Sequence, residues 1–122
     1  MGKYEIKIQI NNTQKKINKN NSLIDDYYNA LSETNRLISN LKMAKNSLSL
    51  TEQHLENSFT VSGKAVKSDE LQILIQNVGS MIKNLEGNVI SAMKEKIKKL
   101  NADNQNLRNK LANLKVMYNK EK

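Results

Sequence analysis

The 122-residue chain has no proline, no cysteine and no tryptophan, and only one phenylalanine, one histidine and four glycines. Each absence excludes something. Without proline, nothing removes a backbone donor or clashes with a preceding turn, so long uninterrupted helices are permitted. Without cysteine, disulfides and thiolate metal sites are excluded. With His54 as the only imidazole, the common nucleophile–base pairs and zinc sites cannot be assembled. The low aromatic content, four tyrosines and Phe59, argues against a compact globule, whose core draws on such mass. No apolar run approaches the roughly 20 residues needed to span a bilayer. Ile6, Ile8 and Ile10 are interrupted by Lys7 and Gln9 and form no signal-peptide core. The chain is therefore expected in the cytoplasm, with any export by a route that uses no cleaved signal. There is no glycine-rich phosphate loop. Asp25 and Asp26 are adjacent, so on a helix they point apart and make no dyad. The expectation is a protein that is not an enzyme and uses no cofactor or metal.

What is present is a seven-residue apolar repeat. Ile10, Ile17, Ile24, Leu31 and Ile38 form one row, and Tyr27, Leu41, Leu48 and Leu55 a second, offset by three. Leu23, Ala30, Leu37 and Ala44 widen the stripe on one side. This spacing puts all of them on one face of a helix, predicted over residues 11–58. Residues 1–10 read as a helix extension or an arm: Tyr4, Ile6, Ile8 and Ile10 alternate like a strand, yet Ile6 and Ile10 keep the helical phase. Residues 59–67 are β-branched, contain Gly63 and lose the phase, which predicts a turn built around Phe59 and Gly63. Ser68 before Asp69 and Glu70 is a helix start, with an N-cap and acids in the first turn.

A second helix is predicted over 68–118. Leu71, Ile75, Val78, Ile82, Leu85 and Val89 alternate steps of four and three. Met93 and Ile97 follow at steps of four, a stutter that locally unwinds a coiled coil. Leu100, Asn104, Leu107, Leu111, Leu114 and Tyr118 then resume the alternation. Asn104 on this row either fixes register and oligomer state or merely interrupts the repeat. Gly79 and Gly87 each cost about 1 kcal/mol in a helix interior. They mark either close packing or a flexible point for docking. Two such helices joined by a short turn fold back antiparallel. The predicted fold is all-α: a single-domain, coiled-coil-like antiparallel hairpin over 1–122. Its stripes exceed one seam, because Ile73, Leu74, Met81 and Ile90 lie off the main row of the second helix, as Leu23 and Leu37 do on the first. These six are the candidate partner-binding residues, to be covered by helices of another copy or another protein.

Charge is uneven. Residues 1–21 carry +4 and residues 93–122 carry +6, whereas 22–58 and 68–92 carry −2 each. This reads as a solvated coiled-coil surface or as attraction to an acidic partner or surface. Nucleic acid is not expected, since no aromatic residues interleave with the basic ones and arginine occurs only at Arg36 and Arg108.

The size, the two helices about one short turn, the segment Ser-Phe-Thr-Val-Ser-Gly-Lys-Ala-Val from Ser58 to Val66, and Ile97-Lys-Lys-Leu-Asn-Ala-Asp-Asn-Gln-Asn-Leu107 carry a resemblance. From about Asn21 to Tyr118 the chain resembles the small helical proteins of Gram-positive type VII secretion. It is most similar to the ESX-like partners of LXG-domain toxins, including the YwqH-like group. It departs from the WXG-type pattern in lacking the Trp-x-Gly turn; Phe59 and Gly63 are the nearest substitutes. The family's export signal, Tyr or Phe followed four residues later by an acid, is also absent: Tyr118 is followed by Lys122, with Glu121 one position early. The resemblance implies a targeting factor or chaperone that binds the helical LXG domain of a toxin, with a partner supplying the export signal and co-secretion as one outcome. A second small helical partner and self-association are further implied associations. The alternatives are a homodimeric ESX-like or structural coiled coil, and a basic adaptor for nucleic acid or anionic membrane.

Overall fold

The computed structural model describes residues 2–58, 60–61, 64–65 and 69–121. The chain is an all-α helical hairpin. Helix α1 spans Lys3–Ser58; α2 spans Asp69–Asn84 and continues through a π-helical turn, Leu85–Val89, into α3, Ile90–Lys120. Between α1 and α2, two-residue strands β1 (Thr60–Val61) and β2 (Lys64–Ala65) pair antiparallel, Thr60 opposite Ala65 and Val61 opposite Lys64. The turn residues Phe59 and Gly63 and the N-cap Ser68 lie outside the described residues.

Residues 3–10 are the opening turns of α1, and Ile6 is fully buried there. The helical phase of Ile6 and Ile10 prevails over the strand-like alternation. The second helix opens at α2 with Asp69 and Glu70, acids that complement the positive end of the helix dipole.

The packing falls into two units, a terminal unit of residues 1–30 and 93–122 and a central unit of residues 31–92. In the terminal unit Ile6, Ile17, Ile24, Ile97, Leu111 and Leu114 are buried together with two polar residues, Thr13 and Asn104. In the central unit Ile38, Val78 and Ile82 form the core, with Leu41, Leu48, Leu85 and Ile90 packed against it. Each fully buried side chain of this kind contributes about 1.5–3 kcal/mol.

The second row of α1 begins earlier than its apolar members suggest. Thr13 is only 3% exposed, and Asn20 and Thr34 are half-buried at the next positions of the same register. The first row also continues past Ile38 with Lys45 and Glu52, both half-buried. The seam of each unit thus includes polar side chains where a hydrophobicity pattern shows gaps.

The π-turn accounts for the stutter. Three successive steps of four, from Leu85 through Val89 and Met93 to Ile97, hold one residue more than a heptad supplies. The Ile90 N–H donates to the Leu85 carbonyl, five residues back, so this turn takes up the extra residue. The same rotation brings Ile90 toward the row of Ile82. Ile90, expected on the outer flank, is therefore half-buried in the central core.

Candidate partner-binding surface

The central unit has two unlike flanks beside its seam. Across one flank Lys42 Nζ meets Glu86 Oε1 at 2.8 Å, and Gln72 Nε2 donates to Glu52 Oε1 at 3.2 Å. Lys45 crosses Gly79 between these pairs: a Cβ added at Gly79 would lie 3.2 Å from the Lys45 ammonium. These contacts define a polar flank and set the register of α2 against α1.

The opposite flank carries the residues that precede the seam row. They are Leu37 and Ala44 on α1, and Leu74 and Met81 on α2. Leu37, Leu74 and Met81 are exposed. The register of the Glu52–Gln72 and Lys45–Gly79 contacts puts Met81 level with Met43 and Leu74 level with Leu50. Met43, Leu50 and Ile73 are exposed as well, but each lies two positions from both seam rows of its helix, on the back of α1 or α2 away from the seam. Ile73, Leu74 and Met81 are 55%, 47% and 51% exposed, too much for members of the intramolecular core. If each of Leu37, Leu74 and Met81 leaves on the order of 100 Å² open, the patch is on the order of 300 Å².

Of the six candidate residues, three are gathered here, Leu37, Leu74 and Met81, while Ile73 is exposed on the back of α2. Leu23 is exposed but belongs to the terminal unit, and Ile90 is turned into the central core.

Electrostatics separate the units further. The terminal unit holds 14 basic and 6 acidic residues, the central unit 6 of each, so the whole net charge of +8 belongs to the terminal unit and the apolar flank sits on neutral ground. In the terminal unit Asn104 is 0% exposed. Its Oδ1 accepts from Asn20 Nδ2 at 3.0 Å, and its Nδ2 donates to Asn21 Oδ1 at 2.9 Å. Asn20 also donates to Asp103 Oδ2 at 2.7 Å. Lys3 Nζ stands 4.6 Å above the Tyr118 ring, a cation–π contact between the two ends of the chain.

The remaining features singled out in the sequence form no reactive cluster. Asp25 and Asp26 are both exposed, Tyr27 is half-buried and its neighbour Tyr28 exposed, and His54 is exposed on α1. Gly79 serves close packing, through Lys45; Gly87, in the π-turn, faces open space, with nothing within 4 Å of where a Cβ would lie. Among the described residues no group of His, Cys, Asp and Glu could hold a metal ion, and no helix is long and apolar enough to cross a membrane. Comparison with protein-family models, with curated proteins and with solved structures finds no match to this chain.

Proposed function

We propose that this chain is a non-catalytic helical partner protein: a targeting factor or chaperone that binds the helical LXG domain of a type VII secreted toxin and promotes its export. The observation that carries this reading is the apolar flank of the central unit. Leu37, Leu74 and Met81 sit beside the seam, all exposed. An amphipathic helix laid on this flank would bury those side chains and complete a bundle of more than two helices. The flank's neutral surroundings suit recognition by apolar contact, with little help from charge.

The test is co-purification with an LXG domain. Leu74 and Met81 are already about half-buried in the hairpin, so burying the rest contributes about 0.8–1.5 kcal/mol each; replacing both with serine therefore lowers capture about tenfold or more while the circular dichroism of the hairpin is kept. Unchanged capture by the double variant refutes the assignment. The homodimer is the second reading, because a patch on a neutral unit meets no like-charge repulsion from its own copy. Sedimentation of the isolated chain decides between the two: a dimer that the same serines dissociate, with no toxin capture, selects the homodimer.

A further inference from the structure

The polar flank of the central unit contains an arrangement that seam packing does not require. Lys45 occupies the heptad row that Leu31 and Ile38 occupy earlier, and it is half-buried between Leu41 and Leu48. A leucine there would continue the core. Instead the lysine stem runs over Gly79, also half-buried, where a larger residue would meet the ammonium at 3.2 Å. A lysine in place of a core residue and a glycine in place of a better helix former together keep one cation at the helix–helix groove.

Two shallow recesses open on either side of this cation, with volumes of about 410 and 340 Å³. Lys45, Gly79 and Lys83 line both; Ile75 walls one and Ile82 the other. The third lysine nearby, Lys42, already has Glu86 at 2.8 Å. Among the described residues neither Lys45 nor Lys83 has a carboxylate within salt-bridge distance. The groove therefore offers two uncompensated ammonium groups above isoleucine walls.

We infer that the recess around Lys45 and Gly79 receives the carboxylate of a glutamate presented by a partner helix. The isoleucine walls match the methylene stem of that side chain, and the two ammonium groups match its charged end. The groove runs between two helices over the two turns from Ile75 to Lys83, so the bearer is a helix lying along it and the anion is not a free ion. This site lies on the flank opposite the apolar patch, and it stands whether or not that patch binds a toxin.

The experiment uses the full chain and three probes: a capped alanine-based helical peptide with one central glutamate, the same peptide with glutamine, and inorganic phosphate. The readout is the NMR shift of the Gly79 amide and of the Lys45 Cε group. The glutamate peptide shifts both saturably, and the glutamine peptide binds about tenfold more weakly, the usual worth of a charge-assisted hydrogen bond. Lys45→Gln, with helicity checked by circular dichroism, costs a similar factor. Gly79→Ala keeps the lysine but fills the floor of the recess, and it also weakens the glutamate peptide. The inference is overturned if glutamate and glutamine peptides bind alike, if both variants bind as wild type does, or if phosphate moves the same signals as strongly as the peptide.

Discussion

Replacing Asn104 with alanine should destabilise the hairpin by about 2 kcal/mol, through two lost hydrogen bonds at roughly 0.5–1.5 kcal/mol each and a small cavity. The structure keeps the figure from being larger. Asn20 retains the Asp103 carboxylate at 2.7 Å, and Asn21 is exposed, so neither former partner is left buried without a bond. Asn104→Leu acts in the opposite direction on stability, because the row is otherwise apolar at Ile97, Leu111 and Leu114. Its cost is specificity: a leucine tolerates slippage of α3 along α1 by one heptad, about 10 Å at the helical rise. Two assays separate the effects. Denaturant midpoints with unchanged slope report stability. Spin labels on cysteines introduced at Asn12 and Ala112, both exposed in the terminal unit, report register, and no native cysteine interferes. Wild type gives a single distance, and Asn104→Leu adds a population displaced by about one heptad. A loss under about 0.5 kcal/mol for alanine, together with a single unshifted distance for leucine, refutes the view that the Asn20–Asn21–Asn104 cluster sets register.

The remaining predictions concern single features. Gly87→Ala should raise stability by about 0.5–1 kcal/mol in a thermal melt, since it removes a helix-interior glycine at a place with open space for a methyl group. Gly79→Ala should show a smaller gain, because the Lys45 ammonium, the free end of a flexible side chain, must give way by a few tenths of an ångström; a gain larger than that of Gly87→Ala contradicts the contact. Lys45→Leu should stabilise the central unit by continuing its apolar seam, measured as a raised denaturant midpoint. Lys42→Ala should cost only a few tenths of a kcal/mol at low salt and nothing measurable in high salt, because both partners of the Lys42–Glu86 pair are largely exposed.

Most of the hairpin was legible in the sequence because its signal is additive. Every member of the seam row of the second helix, from Leu71 to Tyr118, is buried or half-buried, including both residues of the stutter, Met93 and Ile97. What escaped are places where polar or charged residues do the work of apolar ones. Thr13, Asn20, Thr34 and Lys45 sit on the rows of α1, yet a search for apolar spacing passes over them, because their fitness depends on a cross-helix partner such as Asn104 or Gly79. The stutter announced an irregularity but not its form. Only the bond from the Ile90 N–H to the Leu85 carbonyl shows a π-turn, and that turn moved Ile90 from the outer flank into the core. Of the candidate surface, Leu37, Leu74 and Met81 were readable from their offset to the seam.

The central claim is that the apolar flank of the central unit is the binding surface, and the methionines report on it directly. Met81 belongs to that flank, whereas Met117 is exposed in the terminal unit. With methyl-labelled methionine and a soluble paramagnetic agent, addition of an LXG domain should protect the methyl group of Met81 from relaxation and leave that of Met117 as accessible as before. Protection of Met117 with Met81 still open to solvent would contradict the account.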